Sequence, residues 1–129
     1  MENNYGRTIL LVDDLAIVRK WMRTCLQQAG YTVIEAASGS EAIDLFQQSE
    51  TRIALVVSDV QMPLMSGVDL AERLLRLRPD LPILFVSGHC GALRQKMRGF
   101  SFLPKPFRME ELICGVEHAL TSSNILETK

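Results

Sequence analysis

Ile9-Leu10-Leu11-Val12-Asp13-Asp14 sets four aliphatic side chains in a row and then two carboxylates. A short apolar run with no polar position inside it reads as a strand buried on both faces, the form strands take in a parallel sheet. The form returns at Ile53-Ala54-Leu55-Val56-Val57-Ser58-Asp59 and at Ile83-Leu84-Phe85-Val86-Ser87-Gly88. Two further runs admit polar residues: Thr32-Val33-Ile34-Glu35-Ala36 and Phe100-Ser101-Phe102-Leu103. Strands two and five therefore read as edges.

Between the runs lie amphipathic stretches. Leu15, Val18, Met22, Cys25, Leu26 and Ala29 recur at helical spacing, and Gly30 stands where a helix would stop. Ser38 with Glu41 is a capping-box signature ahead of Ala42, Ile43 and Phe46. A third helix over about 67–78 buries Val68, Ala71, Leu74 and Leu75, with Pro79 after it. A short helix over 92–98 is bracketed by Gly91 and Gly99, whose weak apolar period suggests low local stability. The last helix places Met109, Leu112, Ile113, Val116, Ala119 and Leu120 on one face, and Thr121 onward reads as a frayed tail. Strand and helix alternating five times predict an α/β, doubly wound, five-stranded parallel sheet. Edges at two and five fit the order 2-1-3-4-5.

The chain has 129 residues, enough for one domain (1–129, core about 8–120). With 47% hydrophobic and 22% charged residues it can bury a core, which excludes disorder. A net charge of −1 argues against a direct nucleic-acid partner. No apolar run approaches the roughly 18–20 residues of a membrane span, and Met1-Glu2-Asn3-Asn4 does not begin a signal peptide. Cys25, Cys90 and Cys114 are scattered and read as reduced core thiols. A cytoplasmic protein is expected.

Ligands of such sheets bind beyond the carboxyl ends of the strands. There the chain places Asp13-Asp14, Ser58-Asp59, Ser87-Gly88 and Pro104-Lys105-Pro106. Singly, each has a plain structural reading: Asp14 a helix cap, Asp59 and Ser87 loop starts, Lys105 a solvated charge. Together, three carboxylates at one rim repel one another unless a cation is present. A hard divalent ion with oxygen ligands, Mg²⁺ above all, answers that need. A carboxylate beside Mg²⁺ can be a nucleophile toward a phosphoryl group, with Lys105 neutralising charge and Ser87 donating a hydrogen bond. Asp59 is the nucleophile candidate, because it stands alone on the central strand while Asp13-Asp14 form a cation clamp.

These residues resemble a response-regulator receiver domain. The resemblance rests on Ile9–Asp14, on Val57-Ser58-Asp59-Val60-Gln61-Met62-Pro63 with Ser66-Gly67, on Phe85-Val86-Ser87-Gly88, and on Lys105-Pro106-Phe107. It runs from about Thr8 to Leu120 and implies the flavodoxin-like receiver fold. It also implies that Asp59 accepts phosphate from a sensor histidine kinase or a histidine phosphotransfer protein. Mg²⁺ would be bound by Asp14, Asp59 and the main-chain carbonyl of Gln61, with Asp13 acting through water. Ser87 and Lys105 would contact the phosphoryl group, and Phe102 matches the aromatic switch position. The Lys105–Pro106 bond would be cis. Phosphorylation would then draw Ser87 inward, repack Phe102 and shift the 91–99 segment to control an output domain or partner. The chain departs from many receivers at Leu15, where they carry glutamate, and Phe102 has no hydroxyl, so a switch there works by packing. Phe-Val-Ser-Gly and Phe-Leu-Pro-Lys-Pro-Phe look more like receivers attached to hybrid sensor kinases than like those heading DNA-binding regulators.

The remaining residues read as structural. Trp21 should be partly buried, or else border the donor's docking surface. Met62, Leu64 and Met65 should pack the loop beneath the site. His89 reads as a loop residue, and His118 as a cation in a helix's last turn. Such a chain is a switch with intrinsic autophosphorylation and autodephosphorylation, not a turnover enzyme. The rivals are a Mg²⁺-dependent phosphatase of the haloacid-dehalogenase type, a flavodoxin-like carrier, and a receiver that signals without phosphate. The first places its nucleophile in Asp-x-Asp on strand one, where this chain has adjacent aspartates. The acidic loop after strand one would repel a flavin phosphate.

Overall fold

A computed structural model describes residues 7–88 and 100–127, with side chains through Thr121. The helix expected over 92–98, His89 and Cys90 lie outside the described residues. In chain order the elements are β1 (Thr8–Val12), α1 (Ala16–Gln28), β2 (Thr32–Ala36), α2 (Gly39–Gln48), β3 (Ile53–Asp59), α3 (Gly67–Leu77), β4 (Ile83–Ser87), β5 (Ser101–Pro104) and α4 (Met109–Glu127). All five strands pair in parallel in the order β2-β1-β3-β4-β5. The two polar-containing runs are the edges, as their composition predicts.

Alternation along the strands builds one core on each face. Ile9, Leu11, Leu55, Val57, Leu84 and Val86 join Met22 and Leu26 of α1 and Leu112 and Val116 of α4. Leu10, Val12, Val56, Ile83 and Phe85 join Ala42 of α2 and Leu70, Ala71 and Leu74 of α3. A register shift in the β1–β3 pairing puts Ile53 on the opposite face from Leu55, although they are two apart.

Local signals set the helix ends. Gly30 takes φ 104°, with Gly30 N–H bonded to the Gln27 carbonyl and Tyr31 N–H to that of Leu26, closing α1 in a Schellman turn. The Ser38 hydroxyl accepts from Glu41 N–H, and the Glu41 carboxylate reaches back to Ala37 N–H.

Several expectations are corrected. Leu15 and Met109 are exposed, because each stands at a helix start before the turn that meets the sheet. Leu70, off the expected stripe, is fully buried, while Val68 and Leu75 are only partly so. Cys114 is exposed, and Cys25 is buried as expected. The last helix continues to Glu127. No glycine or proline follows Gly115, so nothing breaks it at Thr121. His118 is therefore an exposed mid-helix residue, away from the terminal dipole.

Candidate functional site

The pairing register assembles the site. Val12 of β1 lies beside Ser58 of β3, so Asp13 emerges next to Asp59. Asp59 in turn lies beside Val86, which puts Ser87 one residue further along the same rim. Ser87 pairs with Pro104, and Lys105 N–H donates to the Ser87 carbonyl at 2.9 Å. The Lys105–Pro106 peptide is cis.

Asp13, Asp14 and Asp59 each offer a carboxylate oxygen within 4.8 Å of the others. Asp13 is 1% exposed and Asp59 7%, while Asp14 is the open member of the three. Lys105 Nζ stands 3.5 Å from Asp59 Oδ2 and 4.0 Å from Asp13 Oδ2. Three carboxylates against one ammonium leave two formal negative charges in a partly desolvated cluster. An all-oxygen donor set with that deficit fits a hard divalent ion such as Mg²⁺. Asp13 already registers the strain. Burial pushes its carboxyl above the usual carboxylate range, helped by the charges of Asp59 and Asp14 and opposed by the Leu15 N–H and by Lys105. Desolvation is the larger cause, ahead of the mutual repulsion that the sequence suggests.

Asp14 does not cap α1. The N-cap residue is Leu15, whose N–H is instead taken by Asp13 Oδ1 at 2.9 Å. Behind Asp59, the buried Ser58 hydroxyl donates to the Asp59 carbonyl at 2.9 Å. Gly67 opens α3 against that same carbonyl, and a Cβ there would lie 2.2 Å from the oxygen. Gln61 is exposed in the following loop. Met62 and Met65 pack against the core on the α2–α3 side, as expected. Leu64 does not. Met65 N–H donates to the Pro63 carbonyl at 2.7 Å, closing a three-residue turn with Leu64 at its apex at φ 70°, and the side chain stands fully in solvent.

Phe102 is partly buried and stacks on Phe85 at 5.4 Å between ring centroids, while Phe100 meets Phe85 edge-on at 5.5 Å. Trp21 is half-exposed and tilts against Phe107 at 5.8 Å. Periodicity and strand-end reading give no sign of Arg19, whose Nη1 donates to the Asp13 carbonyl at 2.7 Å. The available signal was Glu35, a charge within an otherwise apolar strand run, which holds Arg19 Nε at 2.9 Å.

Residues 9–117 match the response regulator receiver domain family. The chain belongs to that family. The receiver is 31% identical over 121 residues to the response regulator receiver protein CpdR of Brucella abortus, covering 91% of this chain and 99% of that protein. It is 41% identical over 117 residues to the sensor kinase CckA of the same organism, covering 88% of this chain but only 12% of the kinase. The crystal structure of a response regulator receiver protein from Sinorhizobium medicae superposes with a TM-score of 0.81 at 31% identity, over 91% of this chain and 96% of that one. The acidic cluster with Lys105 has the architecture of a receiver's phosphoacceptor and Mg²⁺ site. Family and geometry together support intrinsic phosphorylation and dephosphorylation of the domain, rather than turnover of a separate substrate as in a haloacid-dehalogenase phosphatase. No described helix is long and apolar enough to cross a membrane.

Proposed function

We propose that this receiver takes a phosphoryl group onto Asp59 from the phosphohistidine of a sensor histidine kinase or histidine phosphotransfer protein, and so switches an output. The observation that carries the reading is the position of Asp59 at the end of the central strand, inside the acidic cluster and 3.5 Å from the Lys105 ammonium. An Asp59 carboxylate oxygen attacks phosphorus, a P–O bond forms as the P–N bond to imidazole breaks, and the released imidazole nitrogen takes a proton from solvent. Asp14, Asp59 and the Gln61 carbonyl would hold Mg²⁺ directly, with Asp13 acting through water. The ion supplies positive charge to the transferring oxygens. Lys105 adds a fixed cation on the same side, and the Ser87 hydroxyl donates to a phosphoryl oxygen. Phe102, without a hydroxyl, signals by repacking against Phe85. Residues 8–120 form the receiver core. The similarity to CckA supports a kinase as the donor.

Intact mass spectrometry after treatment with acetyl phosphate tests this. A phosphoryl adduct should form with Mg²⁺, disappear with EDTA, and be absent in Asp59→Asn. An adduct that survives in Asp59→Asn overturns the assignment.

A further inference from the structure

Asp13 is held at three points. Its N–H donates to the Ala36 carbonyl of β2 at 3.2 Å, its carboxylate accepts from Leu15 N–H, and its carbonyl accepts from Arg19 Nη1. The same guanidinium gives its Nε to Glu35, whose other carboxylate oxygen bonds Arg23 Nη1. Arg19 and Glu35 are 13% and 19% exposed, so the pair works largely out of water. A planar guanidinium gripped at Nε has the direction of its Nη groups set with it.

Charge alone would make Arg19 a poor neighbour for a divalent-cation site. Glu35 offsets that charge, and Arg19 and Arg23 in turn keep Glu35 ionised: burial opposes the charged form, but their hydrogen bonds hold the carboxyl below its usual range. What Arg19 adds is direction. The Asp13 carbonyl and the Asp14 N–H belong to one rigid peptide plane. Fixing the carbonyl therefore fixes the orientation in which Asp14 leaves the strand.

We infer that Arg19, oriented by Glu35, is a positioning residue that sets the spacing of the Asp13 and Asp14 carboxylates before a divalent cation arrives. The inference rests on the Mg²⁺ reading of the site. Groups that orient metal ligands from behind typically govern affinity by about 10–100-fold.

Mg²⁺ titration of the full chain by calorimetry, with the ¹⁵N shift of the Asp14 amide recorded in EDTA, tests it. Arg19→Met should bind Mg²⁺ about tenfold more weakly, with the Asp14 amide displaced even without metal and the far-UV spectrum unchanged. Arg19→Lys keeps the charge but cannot span both acceptors, and should also weaken binding. Unchanged or tighter Mg²⁺ binding in Arg19→Met overturns the inference, since tighter binding means that the arginine acts only as a repelling charge. Should Arg19→Met fail to fold, wild-type affinity in Arg19→Lys overturns it equally. A wild-type chain that binds no Mg²⁺ refutes the site reading itself, a failure visible before any variant is made.

Discussion

Asp13 concentrates the site's electrostatic conflict in one side chain. It is buried, it faces two other carboxylates, and one ammonium at 4.0 Å and one N–H do not compensate it fully. Its folded-state pKa lies above the ordinary 3.8, so the folded chain binds this proton more tightly than the unfolded chain does. Ionising Asp13 therefore costs stability at pH values above the folded pKa, and the cost is relieved as pH falls toward 3.8. With divalent ions chelated, Asp13→Asn should melt higher than wild type at neutral pH, by roughly a few degrees, because the amide still accepts from Leu15 N–H without the charge. The two melting curves should converge as the solution is acidified. Added Mg²⁺ should reverse the order, stabilising wild type more. Thermal unfolding followed by circular dichroism checks all three. A variant that melts below wild type in EDTA would show that the Lys105 pairing outweighs the burial penalty.

β3 and α3 meet closely beside Asp59. Ser66 caps α3 by accepting from Asp69 N–H, and Gly67 N–H donates to the Val60 carbonyl at 2.8 Å. This draws the helix start onto the strand end so closely that the three atoms nearest a Cβ on Gly67 would all be backbone: Asp59 O at 2.2 Å, Asp59 C and Val60 Cα at 3.0 Å. No flexible side chain can yield there. Gly67→Ala should cost about 3 kcal/mol and turn the Asp59 peptide, so urea unfolding should shift while phosphorylation by acetyl phosphate slows. Gly39 makes a useful contrast, since a Cβ there would meet the flexible Met65 side chain, which can move aside. Asp13, Asp59, Ser87 and Lys105 were legible because a polar residue that ends a buried apolar run has only the sheet's rim to occupy. The strand order was legible because Thr32, Glu35 and Ser101 break the apolar runs of β2 and β5 with polar side chains that an edge strand leaves partly exposed, whereas the polar residues of the inner strands stand at their ends. Arg19 was not, because beside Lys20 on a helix it resembles a solvated charge, and only the pairing of Leu11 with Glu35 brings its partner near. Leu64 and Cys114 were misplaced for a related reason. An apolar side chain in a tight turn, or one step off a helical stripe, gives no periodic signal of its own.

For the molecule as a whole, the decisive feature is that one sheet separates two cores and carries the site at its end. Asp13 and Asp14 follow β1, Asp59 ends β3, Ser87 ends β4 and Lys105 follows β5. A ligand that bridges these groups ties together four of the five strands, each packed into both cores or flanking them. Its binding energy should therefore stabilise the domain as one unit, not a single loop. A domain of this size is expected to unfold in one cooperative step. Mg²⁺ with beryllofluoride, a phosphoryl mimic, at about a hundred times its dissociation constant should add about 2.7 kcal/mol. For 129 residues that corresponds to a rise in Tm of about 10 °C. Differential scanning calorimetry should show one transition moving intact, with no rise in Asp59→Asn and a smaller rise of a few degrees with Mg²⁺ alone. A second transition left at the original temperature would mean that the two cores unfold independently, and that the site is coupled to only one of them.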